Sequence, residues 1–350
     1  MKHVTILRDM KRILYMSFIV LIVVGCTDSK PDTISNAIYV WNERSSYNYF
    51  STEELSFLKE NNIKQIYCKL TDVSWDEVNH AYPNDTKELP GDDVLKTFLT
   101  IIPCVFIENS VMLKSTKPEL EYMAKKIASR VKKYDSKTKS CQIDCDWSAT
   151  SKDQYFYFLT QLKKQLDSIS LTATLRLYQY KYPEKTGVPP VDRAMLMLYN
   201  FNSPVVYRAE NSIFDEGEAR KYITDAKYAL PLDFALPAFS WNVVYNEENK
   251  FVGFLKTEEL NEKTTYLKSV SDNTYEIIAD TSIDPYYLRK GYKIKIETIN
   301  QEGLKDAYGL IKSFKNTDSY TVALFDLNAK LLNTQTKENN QPLYESIFIK

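Results

Sequence analysis

Apolar segments of strand length alternate with amphipathic helical segments along most of the chain. Eight of these apolar segments are short and rich in β-branched or aromatic residues, which is the pattern of buried strands. We predict the strands at residues 37–41, 64–70, 101–107, 140–146, 170–175, 194–198, 233–239 and 320–327. We predict the main helices at residues 52–61, 117–134, 152–166, 216–228 and 301–314. This alternation is typical of βα units and a parallel sheet.

The number of predicted strands decides between two α/β folds. Eight parallel strands are the number that closes a (β/α)8 barrel of the TIM type, and we predict this fold for residues 36–328. An open doubly wound sheet is the alternative. It is less well supported, because no glycine-rich phosphate-binding turn follows the first strand.

One region interrupts the alternation of strands and helices. Between the seventh and eighth strands, Tyr286, Tyr287 and residues 293–297 alternate in the manner of antiparallel strands, and Gly291 marks a turn. We therefore predict a small β insertion at residues 245–298 and a C-terminal tail at residues 329–350.

The N-terminus has the pattern of a bacterial lipoprotein signal. A basic start is followed by an apolar run at residues 13–24, and small residues precede Cys26. The run is too short to span a bilayer comfortably, and no stop-transfer pattern supports the alternative of a transmembrane anchor. We predict a signal peptide at residues 1–25, a lipidated tether at 26–35 with the lipid on Cys26, and an extracytoplasmic location at a bacterial membrane.

Charge and cysteine content limit the classes of partner. The chain has 45 Lys and Arg against 46 Asp and Glu, so no excess of positive charge points to nucleic acid. Apart from Cys26, the cysteines fall in predicted strands and are interpreted as small buried apolar residues. With His3 and His80 as the only histidines, no thiol or imidazole metal site is predicted. We predict no cofactor, and the oligomeric state stays open.

Aromatic residues make up 13% of the chain, and this content is compatible with stacking on sugar-like ligands. Packing in the core explains most of these residues equally well.

In a barrel, ligand-binding and catalytic groups lie where the strands end, at the carboxyl rim. Each predicted strand supplies a polar or aromatic group there. In chain order the candidates are Trp41, Glu43, Asp72, Glu108, Gln142, Asp144, Asp146, Arg176, Tyr199, Asn200, Trp241 and Asp326. Strands also end in polar residues simply because they reach water.

The fourth predicted strand is the most informative one. Because side chains alternate along a strand, the apolar set that includes Cys141 and Cys145 faces the helices, and Gln142, Asp144 and Asp146 face the barrel interior. Two carboxylates placed two residues apart cannot both ionise without cost, so we expect one raised pKa. A structural ion-pair network would produce the same sequence pattern.

The sequence of residues 141–148, Cys-Gln-Ile-Asp-Cys-Asp-Trp-Ser, resembles the D-x-x-D-x-D-x-E strand of family 18 glycoside hydrolases, the chitinase-like barrels. Met197 and Tyr199 are similar to the Met-x-Tyr motif of that family. The strand is also similar to that of uncharacterised bacterial secreted barrel proteins. The resemblance implies a (β/α)8 fold, a carbohydrate ligand, and carboxylates at Asp144 and Asp146 that support an acetamido group of the substrate.

The departures from that motif affect the predicted chemistry. Cys141 stands where the family has its first Asp, and Ser148 stands where the family has its general-acid Glu. Asn200 stands where an Asp is common. The aromatic floor, which the family usually takes from its eighth strand, would come from Trp241.

Two main hypotheses follow from these residues. The first is a glycosidase with a relocated acid, for which Glu108 is the leading candidate and Glu43 or Asp72 could contribute. The second is a non-hydrolytic glycan-binding lipoprotein with aromatic platforms. Those platforms would come from Trp41, Tyr178, Tyr199 and Trp241.

A third and weaker hypothesis assigns Asp144, Asp146 and Glu108 to a divalent cation, since carboxylate oxygens are suitable ligands for one.

Overall fold

The computed structural model describes residues 33–42, 44, 49–83, 87–91, 95–134, 138–208, 211–255, 265–315, 319–327 and 347–348. The predicted signal peptide, the lipidation site Cys26, the rim residue Glu43 and most of the predicted tail lie outside these ranges. Within them, no helix combines the length and the apolar character needed to cross a bilayer.

The helices and strands of the described ranges are numbered in chain order. The α-helices are α1 (Thr52–Glu60), α2 (Leu95–Phe98), α3 (Asn109–Lys114), α4 (Lys117–Tyr134), α5 (Lys152–Leu166), α6 (Leu177–Lys181), α7 (Pro183–Thr186), α8 (Glu216–Arg220) and α9 (Gln301–Leu310). The strands are β1 (Thr33–Val40), β2 (Ile63–Asp76), β3 (His80–Pro83), β4 (Thr100–Ile107), β5 (Ser140–Asp144), β6 (Ser170–Arg176), β7 (Arg193–Met197), β8 (Leu232–Pro237), β9 (Ser240–Tyr245), β10 (Phe251–Leu255), β11 (Leu267–Ser271), β12 (Thr274–Ile277), β13 (Thr281–Ile283), β14 (Tyr286–Leu288), β15 (Lys293–Thr298) and β16 (Ser319–Phe325).

Eight of the strands close into a parallel barrel. Their order around the sheet is β1-β16-β8-β7-β6-β5-β4-β2, and parallel pairing between β1 and β2 joins the two ends. The remaining strand of this sheet, β3, runs antiparallel to β2. The (β/α)8 barrel predicted from the sequence is confirmed. An open doubly wound sheet is excluded, because such a sheet would leave β1 and β2 as separate edges.

Side chains along the barrel strands alternate between two apolar clusters. The larger, outer cluster lies between the strands and the covering helices, and the inner cluster fills the barrel interior. Cys141, Ile143 and Cys145 belong to the larger cluster, which also contains the helix residues that cover the outside of the barrel. Gln142 points the other way, and its Oε1 accepts a hydrogen bond from the Tyr39 hydroxyl at 2.7 Å. The orientation predicted for this strand is therefore confirmed.

Aromatic and small side chains fill the barrel interior. Tyr39 and Tyr67 stack with their ring centroids 4.7 Å apart, and both are buried. Cys104 lies in the same inner cluster, whereas Cys68, Cys141 and Cys145 lie in the outer one. These four buried cysteines have free thiols, in agreement with their interpretation as small apolar residues.

The helices predicted at residues 117–134 and 152–166 have the predicted bounds, whereas the one predicted at 301–314 ends as α9 at Leu310 and is followed by a 3-10 turn. Helix α1 begins at a capping box, in which the Ser51 hydroxyl accepts the N–H of Glu54 and the Glu54 carboxylate accepts the N–H of Ser51. The helix predicted at residues 216–228 is wrong in length, because α8 ends at Arg220. The β-branched Ile223 and Thr224, followed by Asp225, have low helix propensity and explain the early end.

Strand β2 differs from its prediction. It was expected to end at residue 70, but it continues to Asp76 and forms a hairpin with β3. Residues 71–76 mix polar residues with Val73 and Trp75, and this weaker apolar character concealed the extension. Asp72 thus lies within a strand rather than after one.

Strands β9 to β12 and β15 form a second, antiparallel sheet in the order β10-β9-β15-β12-β11, and β13 and β14 form a separate hairpin. Strand β8 ends at Pro237, and β9 starts the insertion at Ser240. Trp241 therefore lies on the insertion sheet and not at the end of a barrel strand, which corrects its predicted position. Gly253 permits a close approach of the hairpin, because a Cβ at this position would lie 1.9 Å from the Tyr286 hydroxyl.

An ion pair joins three strands at the amino end of the barrel. Arg193 of β7 donates from Nε and from Nη2 to the two carboxylate oxygens of Asp233 on β8, at 2.9 and 2.7 Å. The Asp233 carboxylate also accepts the backbone N–H of Thr321 on β16 at 2.7 Å. The Asp233 side chain is 6% exposed, so the pair is shielded from water on its acidic side.

We expect Asp233→Ala to lower the free energy of unfolding by about 3 kcal/mol, because it leaves the guanidinium of Arg193 partly buried without its partner. Urea unfolding followed by circular dichroism measures this change. The control is Glu218→Gln, which removes the exposed pair with Lys221 and should cost less than about 1 kcal/mol. Equal effects of the two variants would contradict a structural role for the Asp233 pair.

Candidate functional site

Two carboxylates lie close together at the carboxyl rim of the barrel, and one of them binds an arginine. Asp144 is the last residue of β5, and its Oδ1 accepts a hydrogen bond from the Thr174 hydroxyl on β6 at 2.7 Å. Asp146 follows two residues later and accepts hydrogen bonds from Nε and Nη2 of Arg176, each at 2.7 Å. This two-point contact fixes the plane of the guanidinium relative to the carboxylate. The structure thus brings together three of the predicted site residues.

The two carboxylates differ in their surroundings. The Asp146 side chain is 48% exposed, whereas Asp144 lies deeper at the mouth of the barrel. Burial, with the negative charge of Asp146, raises the pKa of Asp144 to about 6, against the lowering effects of Thr174, Arg176 and Lys69. This agrees with the expectation that one of the two carboxyls would have a raised pKa.

Gln142, predicted to face the ligand, is fully buried beneath this pair. Its Oε1 accepts the Tyr39 hydroxyl at 2.7 Å and lies 3.6 Å from the Cys104 sulfur. Its Nε2 has no hydrogen-bond partner among the described residues. Gln142 therefore supports the interior packing below the rim rather than the surface of a cleft.

A lysine that the sequence interpretation missed lies in the barrel mouth. The Lys69 Nζ is 2.7 Å from Asp72 Oδ1, and it lies 5.1 Å from the ring centre of Trp41 and 5.8 Å from that of Phe106. Asp72, Phe106 and Asp144 are register neighbours on β2, β4 and β5. The sequence does contain a signal for this residue. Lys69 occupies an inward position in a largely apolar strand, and lysine is rarely buried without a partner.

Aromatic rings surround the mouth next to the carboxylates. Tyr199 stacks on Phe325 with centroids 5.5 Å apart, and Phe239 meets Tyr199 edge-on at 5.7 Å. Phe325 also contacts Trp41 at 5.5 Å. Burial raises the pKa of Tyr199, and the charge of Asp144 adds to this effect, so the Tyr199 hydroxyl keeps its proton. Phe239 and Phe325 were not predicted, because apolar residues at strand ends are indistinguishable from core in the sequence.

A cleft of ≈ 480 Å³ opens beside Tyr199, and its lining includes Arg176, Asn200 and Trp241. Asn200 adopts a left-handed conformation with φ of 58°, which asparagine tolerates, and its N–H donates to the Ile213 carbonyl at 2.8 Å. Its Oδ1 is buried and has no hydrogen-bond partner within the described part of the chain. Asn200 thus contributes a polar residue to the lining of the cleft, while its Oδ1 itself is covered by the protein.

Trp241 enters the cleft from the insertion sheet. Its Nε1 donates to Glu297 Oε2 at 2.9 Å. Its ring contacts Phe254 with centroids 4.8 Å apart and Phe239 at 5.3 Å. Glu297 is a further residue that the sequence did not reveal, because it lies 56 residues away from Trp241 along the chain, on β15.

Asp326 follows β16 and is 9% exposed. Burial raises its pKa to about 6, while Arg44 and the backbone N–H of Trp41 lower it. The charges of Asp326 and Asp144 both raise the pKa of Tyr199, so this tyrosine lies near both carboxyls. The mouth therefore contains a second acidic group with a raised pKa. It follows β16, which lies across the barrel from β5 in the order of the strands.

The hydrogen bonds of the Glu108 and Ser148 side chains go to residues other than Asp144 and Asp146. Glu108 is exposed before α3, and its carboxylate accepts the Ser110 hydroxyl at 3.0 Å. The Ser148 hydroxyl bonds to those of Thr150 and Ser151 at 2.8 and 3.2 Å. Across the described ranges, no group of three or more His, Cys, Asp or Glu residues is arranged to hold a metal ion. The geometry thus offers no support for the cation hypothesis at Asp144, Asp146 and Glu108.

Comparisons with known proteins give structural matches. No family model and no curated protein sequence matches the chain. The Bacillus cereus spore cortex-lytic enzyme SleL is similar at 10% identity with a TM-score of 0.47, over 85% of this chain and 72% of that one. The Ignisphaera aggregans GH53 catalytic domain is similar at 12% identity with a TM-score of 0.42, over 87% and 86%.

A Scadoxus multiflorus xylanase and α-amylase inhibitor protein is similar at 14% identity with a TM-score of 0.35, over 59% of this chain and 80% of that one. The matches thus include glycoside hydrolases as well as an inhibitor. Likeness this distant transfers no activity. The chain's own strand pairing defines its class: it is a closed (β/α)8 barrel with acidic and aromatic groups at its carboxyl rim.

We expect the Asp144 carboxyl to titrate near pH 6 in the folded protein, well above the unperturbed value of about 3.9. The folded state then binds more protons than the unfolded state between about pH 4 and 6, so this group lowers stability as the pH rises through that window. Carbon-13 NMR of labelled aspartate, assigned with Asp144→Asn, measures the titration. Asp146→Asn should lower the pKa of Asp144, and a wild-type midpoint near pH 4 would contradict the described environment.

Proposed function

We propose that this chain is a lipid-anchored, extracytoplasmic barrel that binds carbohydrate at its carboxyl rim. The main support is the cleft of ≈ 480 Å³, which combines the aromatic rings of Tyr199 and Trp241 with the polar groups of Arg176 and Asn200. Sugars present apolar C–H faces and a ring of hydroxyls, and they require this mixture of surfaces. The volume suits a few sugar units rather than a whole polymer.

The polar groups around the cleft are suited to hydroxyl recognition. The Arg176 guanidinium is held in place by Asp146, so its orientation is fixed before a ligand arrives. Asn200 adds an amide side chain to the cleft lining, and Tyr199 adds a protonated hydroxyl. A ligand that supplies both donors and acceptors therefore fits better than an anion or a purely apolar molecule.

Hydrolysis is the second candidate function, and one observation favours it. Asp144 has a pKa of about 6, which is the range in which a carboxyl can serve as a general acid. Glycosidases place two carboxyls at one site, and Asp146, two residues from Asp144 and bonded to Arg176, would be the second. Asp144 is thus a better supported acid than Glu108, which is exposed and bonded to Ser110. The family 18 resemblance of residues 141–148 is part of this same proposal.

The location of the protein is proposed from its N-terminal sequence. The apolar run before Cys26 is typical of a lipoprotein signal, and a diacylated cysteine would hold the barrel at a membrane surface. Residues 27–32 and the first residues of β1 would then connect the lipid to the barrel.

A glycan-array screen of residues 27–350, run together with a reducing-end assay on each bound glycan, tests the proposed function. We expect binding, and we expect Trp241→Ala to weaken it about five- to tenfold, because stacking on one aromatic ring contributes about 1–1.5 kcal/mol. Tyr122→Ala, which removes an exposed ring from α4, is the matched control. Release of reducing ends that Asp144→Asn abolishes would establish hydrolysis, and an array without binding would contradict the proposal.

The anchor has its own test. We expect Cys26→Ser to abolish incorporation of labelled palmitate and to move the protein from the membrane fraction to the soluble fraction of the producing bacterium, because the cysteine sulfur bears the lipid. Cys68→Ser removes a buried thiol of the barrel and is the control. Membrane association that survives Cys26→Ser would contradict lipid anchoring at this residue.

A further inference from the structure

The aromatic wall of the cleft depends on a contact between two strands of the insertion. Trp241 on β9 and Glu297 on β15 are direct register partners in the antiparallel pair. The indole Nε1 donates to Glu297 Oε2 at 2.9 Å. The indole has a single N–H, so this bond leaves it with no donor for a ligand.

Glu297 is one of the most deeply buried charged residues of the described chain, with 2% exposure. Its Oε1 lies 2.8 Å from the Lys295 Nζ. Its Oε2 accepts the Trp241 indole, the backbone N–H of Ser212 at 3.1 Å and the Ser212 hydroxyl. Burial acts to raise the pKa of Glu297, but the bonds from Lys295, Ser212 and Trp241 outweigh it and lower the pKa. The carboxylate is therefore charged and held from several directions.

The Ser212 contact connects Glu297 to another part of the cleft lining. Ser212 is followed by Ile213, whose carbonyl accepts the N–H of Asn200 at 2.8 Å. Asn211, on the other side, donates from Nδ2 to the Thr298 carbonyl next to Glu297 at 2.8 Å. One carboxylate thus holds the Trp241 indole and, through a two-residue segment, the backbone of Asn200.

We propose that Glu297 is a positioning residue of the carbohydrate cleft, which fixes the indole of Trp241 relative to Asn200 and thereby sets the width of the cleft. The inference rests on the proposed carbohydrate binding and adds a determinant of specificity to it. Because the indole nitrogen is occupied, Trp241 presents only its ring to a sugar. Hydrogen bonding to the ligand then falls to Asn200, Tyr199 and Arg176.

The test uses the full-length protein in detergent micelles, labelled with 5-fluorotryptophan and studied by fluorine NMR. The resonances of the tryptophans are assigned by single Trp→Phe variants. We expect Glu297→Gln to shift or broaden the Trp241 resonance and to leave that of Trp147 unchanged, since the Trp147 indole donates to the Thr186 carbonyl elsewhere in the fold. An unchanged Trp241 resonance would overturn the positioning role.

The same variants are then compared on the glycan array over a range of protein concentrations. We expect Glu297→Gln to raise the half-saturating concentration about tenfold, the effect of losing one charge-assisted hydrogen bond. In a Trp241→Ala background the same substitution should add less than about threefold, because the two residues act through one contact. If the two substitutions instead multiply each other's effect on binding, as independent changes do, Glu297 does not act through Trp241.

Two further variants separate positioning from folding. Glu297→Gln removes the carboxylate that faces the buried Lys295, so Lys295→Met/Glu297→Gln removes both charges of the pair together. Glu276→Gln, on β12 of the same sheet, is the control and should leave the array signal unchanged. Weak binding by the folded double variant supports the proposal, and wild-type binding by it overturns the proposal. If the wild type itself binds no glycan, the proposed function fails, and the positioning role fails with it.

Discussion

Closure of the parallel sheet is the constraint on which the rest of the structure depends. Hydrogen bonds between β1 and β2 join the first two barrel strands along the chain, and β16 completes the ring beside β1. Closure directs one face of every strand inward, and it brings the ends of β5, β6, β7 and β16 to a common rim. Asp144, Arg176, Tyr199 and Asp326 share one mouth for this reason, although they are separated by long stretches of sequence.

The local patterns that were predictable from sequence are those that one chain segment satisfies by itself. Helices α4 and α5 have the bounds predicted from their apolar faces, and the alternation in residues 141–145 correctly assigned inner and outer positions. The length of β2 and the early end of α8 were predicted wrongly. The extension of β2 depends on its pairing with β3, whereas the early end of α8 follows from the low helix propensity of residues 223–225, a local signal that the predicted helix overlooked.

The site was predictable in part for the same physical reason. Residue type and strand parity were enough to select Asp144, Asp146 and Arg176, but they did not reveal that Arg176 binds Asp146 while Thr174 binds Asp144. Lys69 and Glu297 were missed because their importance comes from partners distant in sequence. Trp241 was selected because it is aromatic, but it was assigned to the end of a barrel strand. The sequence gives no clear boundary between Pro237, where β8 ends, and Ser240, where the insertion begins.

The stacked rings of Tyr39 and Tyr67 fill part of the barrel interior, and the Arg193–Asp233 pair lies at its amino end. The barrel is therefore filled below its carboxyl mouth. Asp144 therefore faces the carboxyl mouth, the end of the barrel at which Trp241 of the insertion sheet also lies. The interior of the barrel is packed core, so contact between the barrel and a bound molecule falls to the residues of that mouth.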